Sequence, residues 1–220
     1  MKDILIINPV STDYFNELTV NYLKPMARCG TQMLSVNVQN GPKAIETFED
    51  EVNAGPGVLK LVEDKAKQFD GIVINCFADP VVDAAQEISP IPIIGAGQAS
   101  MIVAKLVRKK FAVISVYKKS GPWGELQAER AGTKDMLVYS TGIDISVLEL
   151  QKDPDRTRKE ILRESKFAIK KKGAELIILG CTGMALLAES IKMELRTPVV
   201  EPMVAALKIA ETLIHVCPKL

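Results

Sequence analysis

Two cysteines in this sequence share a context. Cys76 lies in "GIVINCFADP" (71–80) and Cys181 in "ELIILGCTGM" (175–184). Each follows an apolar run and is followed by small residues that read as the start of a helix. The positive pole of a helix draws a cysteine pKa down from about 8.5 toward neutrality. Two such thiols on opposite faces of one small molecule form an acid/base pair. One takes a proton as thiolate and the other delivers a proton as thiol, which is what inverting a C–H stereocentre requires. Backbone N–H groups beside each cysteine would hold the charge developing on the adjacent carbonyl oxygen. A single strand-end cysteine is more simply a small buried apolar residue. The matched pair is what points to chemistry.

The other reactive residues offer less. Cys29 and Cys217 have no counterparts and read as structural. No C-x-x-C occurs, which argues against a zinc ribbon or a thioredoxin-type motif. The single histidine, His215, lies in an apolar helical pattern and reads as a surface or packing residue. "GAGQAS" (95–100) lacks the full dinucleotide fingerprint and follows the fourth strand, not the first. "SGPWG" (120–124) reads as a loop in which Trp123 either lines a pocket or packs. Neither a metal nor a cofactor is expected.

The elements that must hold the cysteines alternate. Strands are expected at 3–8, 32–38, 71–76 and 91–95, and again at 111–116, 145–150, 176–181 and 198–201. Helices are expected at 14–29, 54–68, 98–109, 155–172, 183–194 and 203–216. Continuous apolar strands separated by helices point to parallel sheets covered on both faces. The two sets match. Cys76 and Cys181 stand 105 residues apart, Pro92 and Pro198 106, Asn8 and Ser115 107. That is an internal duplication of an α/β unit of about 100 residues. The expectation is two similar Rossmann-like domains related by a pseudo-twofold, 1–97 with 203–220 and 98–202. Ligands bind beyond the carboxyl ends of strands in such sheets. Asn8, Cys76, Ser115 and Cys181 all fall there, so an active site in the cleft between domains is expected.

Composition agrees with a small-molecule role. Of 220 residues, 47% are hydrophobic and 25% charged, and the net charge is +1. Nothing asks for nucleic acid or a membrane. "RKK" (108–110) and "KKK" (170–172) precede strand-like runs and read as helix ends, where cations suit the dipole. The N-terminal "MKDILIINPV" lacks a signal-peptide core, and "LIILGCTGMALLA" (176–188) is too short to span a bilayer. A cytoplasmic protein is expected, with a small-molecule substrate and association into homo-oligomers.

Four blocks carry a family resemblance: "INPVST" (7–12), "GPKAIETFEDEVNAGPGVLKLV" (41–62), "NCFADP" (75–80) and "GCTGM" (180–184). With "TPVVEPMVAAL" (197–207), they make the chain resemble the aspartate/glutamate/hydantoin racemase family over nearly its whole length, most of all its hydantoin racemase branch. The resemblance implies cofactor-independent racemisation with Cys76 and Cys181 as the acid/base pair. It implies substrate contacts from Asn8, Gly41, Pro42, Phe77, Ala78, Ser115, Thr182 and Gly183, with backbone amides of the cysteine blocks binding substrate oxygens. The chain departs from the branch at Val10, at Ala78 where glycine is frequent, at Thr182 where alanine is frequent, and at Glu201 where aspartate is usual. The implied substrate is a 5-substituted hydantoin or a related cyclic ureide such as allantoin. An aspartate or glutamate racemase and a non-catalytic binding protein of the same fold are the alternatives. Phe77 favours a less polar ligand than either amino acid, and retention of both cysteines favours an enzyme.

Overall fold

The apolar runs become the inner strands of two parallel sheets. The computed structural model describes residues 2–118 and 121–217. In the first half, β1 (Lys2–Asn8), β2 (Thr31–Asn37), β3 (Gly71–Ile74) and β4 (Ile93–Gly95) lie in the order β2-β1-β3-β4. In the second, β5 (Phe111–Ser115), β6 (Leu137–Gly142), β7 (Leu176–Leu179) and β8 (Val199–Val200) lie in the order β6-β5-β7-β8. All neighbours are parallel. The second order is the first with each number raised by four, so one topology is used twice. Ile4–Ile7, Phe111–Ile114 and Ile177–Leu179 are fully buried, as strands covered on both faces require.

The covering helices are α1 (Tyr14–Leu23), α2 (Phe48–Lys65), α3 (Val82–Ile88), α4 (Ala96–Val107), α5 (Gly121–Arg130), α6 (Pro154–Phe167), α7 (Ala188–Leu195) and α8 (Pro202–Val216). Residues 1–96 with 203–220 make one compact unit, and 97–202 the other. Val58 and Val62 of α2 pack on Leu5, Ile7 and Ile74 in the first. Ile161 of α6 and Ile191 of α7 pack on Ile114 and Ile177 in the second. No helix among the described residues is long and apolar enough to cross a membrane.

A buried carboxylate ties α8 to the first unit. Glu211 is 2% exposed. Its Oε1 accepts from Arg28 N–H at 2.7 Å and from the Thr31 hydroxyl at 2.9 Å, and Oε2 pairs with Lys208 at 3.1 Å. Removing it takes the acceptor from two part-buried donor bonds at the entry to β2. Glu211→Ala is therefore expected to lower stability by about 2 kcal/mol or more. The shift in the urea midpoint measures it, and Glu211→Gln, which keeps an acceptor, should lose less.

Four local expectations need correction. The second strand of the second sheet is β6, not 145–150, where Val147–Glu149 forms a 3-10 turn instead. β6 is an edge strand and half-buried, so its "LVYSTG" carries polar residues that mask a strand pattern. Residues 121–124 are not loop but the first turn of α5; Ser120 lies outside the described residues. Proline is tolerated in a first helical turn because the N–H it lacks has no partner there. α2 starts at Phe48, ahead of the expected residue 54, on a capping box. Thr47 accepts from Asp50 N–H, and the Asp50 carboxylate accepts from Thr47 N–H. Pro56 sits inside this helix. The helix read as starting directly after Cys76 is α3, which starts only after Val81, itself in a left-handed conformation.

Candidate active site

In the first unit, the ladder between β1 and β3 ends at Ile7 and Ile74. Asn75 still donates its N–H to Ile7 O at 2.8 Å, and Cys76 N–H turns back to Ile74 O at 3.0 Å. That three-residue turn lifts Cys76 off the sheet. Asp79 N–H to Cys76 O, 3.1 Å, closes a β-turn with Phe77 and Ala78 at its centre. The helix expected directly after Cys76 is displaced. Asp79 and Val81 take positive φ, 55° and 51°, and α3 begins only at Val82. A left-handed Asp is tolerated, whereas a left-handed Val is strained and must be held by its surroundings. Within 71–80 every residue is buried except Cys76, which is partly exposed. The buried Asp79 carboxylate lies over the end of β4, where a Cβ on Gly95 would come within 2.2 Å of Oδ1. Glycine is required there by close approach, not by φ.

Asn8 ends β1 and is 2% exposed. Its Nδ2 donates to Asn16 Oδ1 and to Ser35 Oγ, both at 2.9 Å, and its Oδ1 accepts from Asn75 Nδ2 at 2.8 Å. Asn16 in turn donates to Asn37 Oδ1. Gly41 and Pro42 lie in the loop after β2. Pro42 O accepts from the Ser11 N–H at 2.9 Å and the Ser11 hydroxyl at 3.3 Å, so the loops after β1 and β2 are joined.

The second unit repeats the plan with other residues. Gly180 donates its N–H to Ile114 O at 2.7 Å. Ser115, which ends β5 and is 2% exposed, donates its hydroxyl to Gly180 O at 3.0 Å. A Cβ on Gly180 would lie 2.8 Å from Ser115 Cβ, so the approach needs glycine. Cys181 caps a short 3-10 helix, Thr182–Leu187, and its Sγ accepts from Gly183 N–H at 3.3 Å. A backbone donor so placed favours thiolate over thiol. Gly183 O accepts from Gln151 Nε2 at 3.1 Å, which fixes the turn. Cys181, Thr182 and Gly183 are all partly exposed. The loops after β5 and β6 are joined as well: Ile145 N–H reaches Val116 O at 3.2 Å, and Lys118 N–H reaches Asp144 Oδ1 at 3.2 Å. That N–H and then the Lys118 ammonium, 3.1 Å away, hold the Asp144 carboxyl below its usual range.

Each unit thus gathers its own set at the carboxyl end of its sheet: Asn8, Phe77 and Ala78 with Cys76 in one, Ser115, Thr182 and Gly183 with Cys181 in the other. Asn16, Ser35, Asn75 and Gln151, none of them a predicted site residue, join them. Only Asn75, adjacent to Cys76 in the "NCFADP" block, carried a signal. Cys29 is exposed and Cys217 half-buried, neither following a strand. His215 is exposed on α8, its Nδ1 2.6 Å from Glu211 O. Among the described residues no three His, Cys, Asp or Glu side chains gather as a metal site. A cavity of about 660 Å³ opens at the outer edge of β2, lined by Asn16, Ser35, Asn37 and, from α2, Pro56 and Lys60 among others. No cysteine-block residue lines it, so it belongs to the sheet edge and not to the thiols.

Known proteins match this arrangement. The profile of the family described as Asp/Glu/Hydantoin racemase matches residues 4–210. A hydantoin racemase of Rhizobium meliloti is 33% identical over 212 residues, covering 96% of this chain and 88% of that one. Among solved structures, an allantoin racemase from Klebsiella pneumoniae is 31% identical with a TM-score of 0.93, covering 98% of this chain and 89% of its own. An allantoin racemase from Pseudomonas fluorescens is 26% identical with the same TM-score, covering 99% and 92%. With matches running over nearly the whole chain, this protein belongs to the Asp/Glu/hydantoin racemase family of isomerases.

Proposed function

We propose that the chain racemises a 5-substituted hydantoin or a related cyclic ureide such as allantoin, with Cys76 and Cys181 as its acid/base pair and no cofactor. The observation that carries the reading is the repetition of one device: in each unit a cysteine stands two residues beyond the second inner strand, β3 or β7, partly exposed. The relatives named hydantoin racemase and allantoin racemase support the substrate class.

The chemistry suits a thiol. In such a ring the C–H is flanked by a neutral acyl group, which takes up charge as an enolate more readily than a carboxylate does. One thiolate removes this proton and the other thiol returns a proton to the opposite face, and for the mirror substrate the roles reverse. The Gly183 amide, expected to bind substrate, is directed in the free protein at Cys181 Sγ. It serves the resting thiolate, which leaves the turns at Phe77–Ala78 and Thr182 to meet the enolate oxygen. The buried Phe77 beside Cys76 supports a weakly polar ligand. Thr182, whose hydroxyl resembles the amino-acid racemases, supports aspartate or glutamate as the second reading.

A polarimetric assay separates the two. Single enantiomers of hydantoins, allantoin, aspartate and glutamate are incubated with the protein and no additive. Loss of rotation is expected with a hydantoin or allantoin. Turnover confined to aspartate or glutamate would overturn the ureide reading.

A further inference from the structure

Asn8 and Ser115 occupy matching places, ending β1 and β5, and the family resemblance makes both of them substrate ligands. Their hydrogen bonds say otherwise. An amide nitrogen has two protons to give and a hydroxyl one. Both Asn8 Nδ2 protons are taken inside the first unit, by Asn16 Oδ1 and Ser35 Oγ. The one Ser115 proton is taken by Gly180 O. Both residues are 2% exposed. Neither has a donor left for a bound molecule.

What they do hold is the residue immediately before each cysteine. Asn75 is fixed to the neighbouring strand through its backbone, by N–H to Ile7 O, and through its side chain, by Nδ2 to Asn8 Oδ1. Gly180 is fixed through both of its backbone groups, by N–H to Ile114 O and by its carbonyl to the Ser115 hydroxyl. The chemistry differs, amide to amide in one unit and hydroxyl to carbonyl in the other. The place is the same: the last residue pinned to the sheet before the chain turns and presents its thiol.

We infer that Asn8 and Ser115 are positioning residues, each fixing the strand end from which one thiol is presented, Asn8 for Cys76 and Ser115 for Cys181. Asn16 and Ser35 act one step further out: by taking both amide protons they orient the Asn8 amide with its oxygen toward Asn75. The inference rests on the two-thiol reading for its effect on turnover, but not for its effect on the thiols themselves.

The test uses Asn8→Ala and Ser115→Ala in the full chain, checked for folding by circular dichroism. Steady-state kinetics on the substrate found by polarimetry should show kcat falling roughly ten- to hundred-fold with KM nearly unchanged, the pattern of a misplaced reacting group. The free proteins are then treated with iodoacetamide, and modification is followed cysteine by cysteine by peptide mass spectrometry. Asn8→Ala should change the rate at Cys76 by about threefold or more and leave Cys181 within about twofold, and Ser115→Ala should do the reverse. This readout needs no activity, so it stands even if the thiols prove dispensable for racemisation. If Asn8→Ala does not fold, Asn75→Ala removes the same bond from the other side. A rise in KM with kcat unchanged would restore both residues as substrate ligands. Alkylation rates that move equally at both cysteines, or at neither, would also overturn the proposal.

Discussion

Serine at Cys76 or at Cys181 is expected to lower kcat by about 10³-fold or more, roughly 4 kcal/mol of barrier. A serine hydroxyl is nearly isosteric with the thiol but is far too weak an acid to be ionised near neutral pH. The substitution should therefore remove the proposed proton carrier and leave the turn intact. The loss should appear in both directions of the reaction, because in the proposed scheme each direction uses one thiol as base and the other as acid. Cys29→Ala and Cys217→Ala are the controls: neither residue follows a strand end, and activity should stay near that of the unmodified protein. Polarimetry on purified variants measures all four. Cys181→Ser at close to full activity would end the two-thiol scheme.

The second large effect is one of handedness. In deuterated water the unmodified protein should exchange the stereocentre hydrogen of both enantiomers as it racemises them. With Cys76→Ser, the enantiomer whose hydrogen faces Cys181 should still exchange without inversion, and the other should lose exchange by at least about two orders of magnitude. With Cys181→Ser the enantiomers should swap. Exchange needs only a base on the correct face, whereas racemisation needs a proton donor on the other as well. Proton NMR of each pure enantiomer follows the signal directly. If one cysteine proved necessary for exchange of both hands, the assignment of one face to each thiol would be wrong, even with both cysteines essential.

The duplication was legible because it is written in local pattern. Apolar runs such as "ILII" and "LIIL" announce strands buried on both faces wherever they occur, and the like spacing of Cys76 with Cys181 and Asn8 with Ser115 announces one unit used twice. Asn8 and Ser115 could thus be placed at strand ends from sequence, and β1 and β5 do end there. The edge strand β6 could not, because half-burial admits the polar residues of "LVYSTG" and erases the apolar run. The start of α2 was hidden in a different way: the expected helix began at residue 54, whereas the capping box at Thr47 starts it at Phe48. What the tertiary structure alone decided is the destination of each hydrogen bond. Asn8 meets Asn75 67 residues on, Ser115 meets Gly180 65 residues on, and Glu211 meets Arg28 183 residues back. The first two partners are chosen by which strands lie side by side and in what register, a property of the assembled sheet, and the third by where α8 packs. The residue types at the strand ends were therefore open to reading in the sequence. Which partners inside the protein an amide or a hydroxyl there meets, Asn16, Ser35 and Asn75 for Asn8 and Gly180 for Ser115, was decided only by the packing of the neighbouring elements.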